Sequence, residues 1–130
     1  MLIIINQHNM KNKYDPNHIV RIDRTSVLGN PFGLSPFKNQ VAERNRVCDK
    51  YEEYFNGIIH RYTSNQSLSE FDKAFIEELY RIYTLSQNDT IYLACWCCPK
   101  RCHGETIVNF INNEADIIFE GGILIWWIIL

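Results

Sequence analysis

The sequence lacks an excess of basic residues. It has 13 Lys and Arg against 15 Asp and Glu, a formal net charge of −2 and a pI near 6.1. Proteins that bind the phosphate backbone of duplex nucleic acid usually have a clear excess of Lys and Arg. The sequence therefore predicts no binding to duplex nucleic acid.

The sequence also has no long hydrophobic run, and we expect no signal peptide. The apolar start is interrupted at once by Gln7, His8 and Asn9, unlike a signal peptide. The uncharged stretch at residues 123–130 falls well short of the about 20 residues that span a membrane. We expect a cytoplasmic protein without a transmembrane segment. We expect the apolar tail at residues 123–130 to be a buried final strand or a contact between subunits of a homo-oligomer. The alternatives are a contact with a membrane surface and a non-native extension.

Widely spaced cysteines are absent too. Of the five cysteines, four lie between Cys95 and Cys102, and Cys48 stands alone. A secreted disulfide framework spreads its cysteines so that each bridge closes a useful loop. The clustering favours reduced thiols that bind metal or take part in chemistry. With no repeat or low-complexity tract, residues 1–130 form one predicted domain.

Hydrophobic patterns predict strands and helices in alternation. Predicted strands cover residues 2–5, 18–23, 90–97 and 115–119, and predicted helices cover residues 41–61, 68–85 and 103–112. The second helix is expected to bury Phe71, Phe75 and Leu79 and to begin at a Ser67–Glu70 or a Ser69–Asp72 cap. This order predicts an α/β domain with a small, mostly parallel sheet flanked by helices.

Two loops follow predicted strands, one after Asp23 and one after Cys97. In parallel sheets, ligands bind beyond the carboxyl ends of the strands. If both strands are parallel, the two loops lie at the same edge and form one candidate site.

The first loop, residues 24–32, carries Arg24, Ser26, Gly29 and Asn30. Arg24 offers a forked cation to phosphate or carboxylate, Gly29 permits close backbone approach, and Ser26 and Asn30 add neutral hydrogen-bonding groups. The alternative is a rigid turn whose polar groups satisfy only its own backbone.

The second loop contains Cys95, Cys97, Cys102 and His103. Three hypotheses compete for it. Cys97 or Cys102 is a nucleophile or proton-transfer group with His103 as its partner, since a helix start lowers a thiol pKa. Alternatively, Cys95, Cys97, Cys102 and His103 bind zinc. No other cofactor is expected. Or the cysteines fill the core, and His103 orders the helix. Trp96 is either core or an aromatic wall for a base or sugar.

Together these motifs resemble an uncharacterised family of small proteins from bacteriophages and bacteria, a domain of unknown function. Its pattern has an Arg-x-Ser-x-Leu-Gly-Asn-Pro-Phe block, a middle arginine and a Cys-Trp-Cys-x-Pro-x-x-Cys-His block, and it spans residues 19–111 here. Arg44 or Arg46 matches the middle arginine, and Asp23 replaces the usual glycine. The resemblance implies a Rossmann-like architecture and a phage setting, hence the host cytoplasm, but no activity.

The combined expectation is a pocket for a nucleotide or nucleoside-like ligand. Its predicted ligand-binding residues are Arg24, Ser26, Gly29, Asn30, Arg44 and Trp96, and its predicted catalytic residues are Cys97, Cys102 and His103. Two alternatives stay open. One is a non-catalytic protein that sequesters a nucleotide or binds a host protein. The other is a zinc-stabilised structural module.

Overall fold

A central strand organises the fold. The structure, a computed structural model, describes residues 1–9 and 13–120. Its elements are β1 (Leu2–Asn6), β2 (Ile19–Arg21), α1 (Gln40–Thr63), α2 (Glu70–Asn88), β3 (Ile91–Cys95), α3 (Gly104–Asn113) and α4 (Ala115–Glu120), with 3₁₀ turns at Gln7–Asn9 and Pro16–His18.

The three strands form a parallel sheet in the order β1-β3-β2. Leu93 of β3 pairs with Ile4 on one side and with Val20 on the other. Leu93 and Ala94 are fully buried, as an uninterrupted apolar strand requires when both of its faces are covered. The predicted α/β class with a parallel, Rossmann-like sheet is confirmed.

Helices α1 and α2 begin at side-chain caps. Asn39 accepts hydrogen bonds from the N–H groups of Val41 and Ala42 at the start of α1. Ser69 accepts from the N–H of Asp72 at 3.0 Å, which is the second of the two caps predicted for α2. Such a cap satisfies a backbone donor that has no partner within the helix.

The buried faces of these helices follow the predicted spacing, with one exception. Tyr51, Phe55, Phe75 and Leu79 are fully buried or nearly so. Phe71, expected in the core, is 47% exposed, because it lies in the first turn of α2 and contacts its aromatic neighbours only at one side.

Helix α3 packs tightly against the sheet at its first residue. A Cβ on Gly104 would lie 2.8 Å from the Cδ1 of Ile22 and 3.2 Å from that of Ile4. The missing side chain therefore lets the helix start lie directly over β1 and the end of β2. This contact sets the position of the loop between β3 and α3.

The prediction of a strand at residues 115–119 is wrong. Residues Ala115–Glu120 form α4, in which the Ile118 N–H donates to the Glu114 carbonyl at 3.1 Å. The Tyr83 hydroxyl donates to the carboxylates of Asp116 and Glu120 at 2.6 and 2.9 Å, and two residues four apart reach one partner only on a helix.

The apolar tail expected to be a strand or an oligomer contact, residues 123–130, lies outside the described residues. Within residues 1–9 and 13–120, no helix has both the length and the apolarity needed to cross a membrane.

The fold predicts unequal losses of stability when two apolar residues of α4 are replaced by alanine. Phe119 is 4% exposed and packs against the rings of Tyr80, Tyr83 and Phe110, whereas Ile117 is 80% exposed. We expect Phe119→Ala to lower the free energy of unfolding by about 3–5 kcal/mol. Ile117→Ala should change it by less than about 0.5 kcal/mol. Urea unfolding measures both. Because a strand would place the two residues on one face, equal losses would contradict the helix.

Candidate functional site

Both candidate loops leave the same edge of the sheet. The Ile22 N–H donates to the Ala94 carbonyl at 3.0 Å, which carries the pairing of β2 with β3 one step beyond Arg21. The first loop starts at Asp23, and the second starts after Cys95. Since neighbouring parallel strands end at the same edge, the two loops face each other across it.

Asp23 anchors the first loop. Its carboxylate accepts hydrogen bonds from the Thr25 N–H at 3.1 Å, from the Thr25 hydroxyl and from the Gln7 side chain at 2.7 Å. Burial alone would raise the pKa of Asp23, but these hydrogen bonds outweigh it, and the pKa lies below its ordinary value. The carboxylate is thus charged and fully engaged by protein donors.

The turn that follows closes tightly on itself. The Ser26 N–H donates to the Asp23 carbonyl at 2.9 Å, and the Gly29 N–H donates to the Ser26 carbonyl at 3.0 Å. A Cβ on Gly29 would lie 2.3 Å from the Asp23 carbonyl oxygen, a distance that no side chain tolerates. The Ser26 hydroxyl oxygen accepts from the Leu28 N–H. Ser26 and Gly29 therefore fix the loop through its own backbone.

Asn30 fastens the far end of the loop to α1. Its side-chain amide donates to the Val47 carbonyl at 3.0 Å, and its side-chain oxygen accepts from the Phe32 N–H at 2.9 Å. The Tyr51 hydroxyl adds a third tie by donating to the Leu28 carbonyl at 2.7 Å.

His103 joins the two loops directly. Its Nε2 lies 2.6 Å from the Ile22 carbonyl oxygen. A carbonyl can only accept, so Nε2 carries the proton and Nδ1 presents a lone pair. Burial lowers the pKa of His103 below 6.5, which keeps the imidazole neutral. Tyr51 contacts the ring edge-on, with centroids 4.8 Å apart.

Nδ1 of His103 lies 3.7 Å from the sulfur of Cys102. This sulfur accepts a hydrogen bond from the Gly104 N–H at 3.3 Å and has Cys95 and Cys97 as hydrogen-bond partners. The structure places Cys102 at the helix start, as expected. Its pKa is nevertheless raised, first by the hydrogen bonds with the two neighbouring thiols and then by burial.

The thiols with a lowered pKa are Cys97 and Cys95. The hydrogen bond from Cys102 lowers the pKa of Cys97 to about 6, and the Arg44 guanidinium and the Lys100 ammonium contribute in the same direction. When Cys102 donates its single proton to Cys95 instead, it lowers the pKa of Cys95 to about 6. Two thiolates in contact would repel each other. We therefore assign the negative charge to Cys97, the less buried of the two, which has Arg44 beside it.

A cavity of about 330 Å³ lies between the two loops and the start of α1. Its lining comprises Asp23, Arg24, Thr25, Asn30, Phe32 and Leu34 of the first loop, Arg44, Val47 and Cys48 of α1, and Cys95, Trp96, Cys97, Arg101 and His103 of β3 and the second loop. Two segments far apart in the chain thus share one cavity.

Positive charge and aromatic surface meet in this cavity. Among the residues that the structure describes, Arg24 donates one hydrogen bond, to the Phe32 carbonyl at 3.3 Å, and the Arg44 guanidinium lies near enough to Cys97 to stabilise its thiolate. Arg101 is held by the Asn45 side chain and by Asp49 on α1. Trp96 is 51% exposed, so it lies at the cavity mouth rather than in the core.

The predicted site residues divide into two groups. The cavity is lined by Arg24, Asn30, Arg44, Trp96, Cys97 and His103, whereas Ser26, Gly29 and Cys102 are not among its lining residues. Of the two arginines that matched the middle position, Arg44 reaches the cavity, and Arg46 pairs with Glu43. Sequence reasoning missed Asp23 and Arg101 as lining residues. The position of Asp23 at a strand end was a usable signal, but no pattern singled out Arg101.

The zinc alternative finds no support in this geometry. Within residues 1–9 and 13–120, no three His, Cys, Asp or Glu side chains are arranged to hold a metal ion.

A small parallel sheet with helices packed on it and a cavity at its carboxyl edge defines a Rossmann-like α/β domain. The chain belongs to the DUF4326 family, described as a domain of unknown function, whose sequence pattern matches residues 5–113. Searches of the curated proteins and of the solved structures gave no significant match.

The lowered pKa of Cys97 predicts unusual reactivity towards alkylating reagents. Only the thiolate attacks iodoacetamide, so the rate at Cys97 should rise up to about pH 6 and be nearly constant above pH 7. Cys98 is the matched control, because burial raises its pKa and its rate should still be rising at pH 9. Peptide mapping of alkylation against pH measures both. A Cys97 rate that follows that of Cys98 would contradict the assigned charge.

Proposed function

We propose that the protein binds a small nucleotide-like ligand in the cavity between the two loops. The observation that carries the proposal is the combination of three guanidinium groups with exposed aromatic surface in one cavity of about 330 Å³. Pockets for small organic ligands start at about 300 Å³.

The arginines suit the anionic part of such a ligand. A guanidinium pairs with phosphate through two parallel hydrogen bonds, and charge-assisted bonds of this kind are about twice as strong as neutral ones. Arg24 and Arg44 have no carboxylate partner among the described ion pairs, and the Asp23 carboxylate is occupied by Thr25 and Gln7. The local charge therefore favours an anion.

The aromatic residues suit the base. Trp96 is half exposed at the cavity mouth, with His8 edge-on at 4.6 Å between ring centroids. Stacking of a base on an aromatic side chain contributes about 1–3 kcal/mol. Phe32 extends the apolar wall on the opposite loop.

Calorimetry with nucleosides, nucleoside mono-, di- and triphosphates and inorganic phosphate tests this proposal. We expect at least one phosphorylated nucleotide to bind more tightly than its nucleoside. Arg44→Ala should then weaken binding by about 10- to 100-fold, since hydrogen bonds to charged groups contribute about 1.5–3 kcal/mol. Trp96→Ala should weaken binding of the nucleotide but not of inorganic phosphate.

Arg81→Ala is the matched control, because Arg81 pairs with Glu78 on the surface of α2 and lies outside the cavity lining. Its affinity should equal that of the wild type. If no member of the panel binds, or if Arg81→Ala and Arg44→Ala weaken binding equally, the proposal fails.

A second candidate function is catalysis at the same site. The observation that favours it is the Cys97 thiol, which faces the cavity with a pKa lowered to about 6. A thiolate beside a bound ligand is a nucleophile suited to covalent catalysis. His103 acts one step away, through its contact with Cys102.

Incubation with the same panel, followed by mass spectrometry of the released ligand, distinguishes catalysis from binding. A catalytic site changes a nucleotide chemically, and Cys97→Ser abolishes the change while the affinity is retained. A nucleotide that is held tightly and recovered unaltered from the wild type counts against catalysis and supports a sequestering role, such as a phage factor that removes a host nucleotide signal.

A further inference from the structure

The three neighbouring thiols suggest a chemistry that needs no nucleotide. We propose that Cys97 is a peroxide-sensitive modification site and that Cys102 is its resolving partner, so that hydrogen peroxide converts the two thiols into an intramolecular disulfide. The proposal goes beyond ligand binding and depends on contacts within the second loop alone.

Access distinguishes Cys97 from its neighbours. Cys97 is partly exposed and lines the cavity, whereas Cys95 and Cys102 are 1% and 3% exposed. A small oxidant that enters the cavity therefore meets the sulfur of Cys97 first. Thiols that sense oxidants share this combination of access, thiolate character and a nearby second cysteine.

The chain path brings the resolving thiol back to Cys97. The Lys100 N–H donates to the Cys97 carbonyl at 2.8 Å, which closes a turn and reverses the chain. Arg101 then holds the returning segment to α1 through Asp49 at 2.8 Å. Within this returning segment, the Cys102 thiol is near enough to interact with the Cys97 sulfur, and the Cys102 sulfur accepts a hydrogen bond from the Gly104 N–H at 3.3 Å.

The surroundings of Cys97 favour the attacking thiolate. The Arg44 guanidinium and the Lys100 ammonium stabilise its negative charge. The adjacent Cys98 has no such partner, since its thiol donates to the Ile4 carbonyl at 3.6 Å and burial raises its pKa. Two neighbouring cysteines are therefore expected to differ strongly in reactivity.

His103 supplies a base for the second thiol. Its Nε2 proton is fixed on the Ile22 carbonyl, so the lone pair of Nδ1 points to Cys102 at 3.7 Å. Burial keeps the imidazole neutral, and oxidation of Cys97 removes a thiolate that raises the pKa of Cys102, so Nδ1 is then free to take the Cys102 proton. His103 is thus a positioning and proton-accepting residue for the resolving step.

The reaction balances in two steps. The Cys97 thiolate attacks one oxygen of hydrogen peroxide, the O–O bond breaks and hydroxide leaves. Sulfur is thereby oxidised to sulfenic acid, and peroxide is reduced by two electrons. Cys102 then gives its proton to Nδ1 of His103 and attacks the Cys97 sulfur. The S–S bond forms, the S–O bond breaks, and the departing hydroxide takes the proton from His103 to become water.

The test uses the reduced full-length protein, hydrogen peroxide at neutral pH and mass spectrometry of intact protein and peptides. We expect loss of two hydrogens and one bridge, between Cys97 and Cys102. Cys102→Ser should stop at a Cys97 sulfenic acid that dimedone traps. Cys97→Ser cannot form this bridge, and any other disulfide should form in it at least about tenfold more slowly, because the remaining partly exposed thiol, Cys98, has a raised pKa and is protonated at neutral pH.

Cys98→Ser is the matched control, and it should oxidise at the wild-type rate. Peptide mapping of the wild type keeps the test independent of how the variants fold. A bridge that involves Cys95, Cys98 or Cys48, dimedone on a cysteine other than Cys97, or a wild type that resists peroxide would each overturn the proposal. None of these outcomes bears on nucleotide affinity, so the two proposals fail separately.

Discussion

One hydrogen bond defines the relation between the two loops. The imidazole N–H of His103 donates to the Ile22 carbonyl, the last backbone group before the first loop turns away from the sheet. This bond holds the start of α3 against the end of β2. It also selects the histidine tautomer, because the carbonyl can only accept. In this tautomer the Nδ1 lone pair faces Cys102 and influences which of the thiols carries a proton. A backbone carbonyl beside a distant strand therefore affects the protonation of the thiols.

The thiol cluster illustrates how burial and hydrogen bonding act against each other. Burial raises the pKa of a thiol because it penalises the charged form. At Cys97 this penalty is offset by a donated hydrogen bond and by two nearby cations, whereas at Cys48 burial is the dominant influence and the pKa is raised. Identical side chains within one small domain thus differ in charge because of what surrounds them. The negative charge resides where solvent and a guanidinium reach it.

The sequence was sufficient for the fold class and for the prediction that the two loops leave the sheet at the same edge. The buried strand β3 and the long helix α1 have strong, one-sided patterns, and the strand-end rule for parallel sheets correctly brought the loops of Arg24 and His103 together. The segment at residues 115–119 was ambiguous, because Ala115, Ile117 and Phe119 fit an alternating pattern as well as Ala115 and Phe119 fit a helical one. Only the tertiary contact with Tyr83 decides between them.

Side-chain direction within the loops could not be predicted. The sequence predicts Ser26 at the ligand, yet its hydroxyl serves the backbone of its own turn. It leaves Trp96 open between the core and an aromatic wall, whereas Trp96 lies half exposed at the cavity mouth. Residue type and spacing do not determine these orientations, because a loop has no periodic face. The place of Arg101 in the cavity lining could not be predicted either. Its side chain is held by Asn45 and Asp49, which lie on α1, far from Arg101 in the sequence.

The self-contained hydrogen bonding of the first loop has a consequence for how ligands can be chosen. Ser26, Gly29 and Asn30 hold the backbone whether or not the cavity is filled, so a ligand that fits does not have to supply the entropy cost of ordering the loop. The residues that hold the loop backbone therefore differ from most of the residues that form the cavity surface. A substitution at Leu34, which lies outside both sequence motifs, can therefore reshape the cavity wall while the scaffold beneath stays the same.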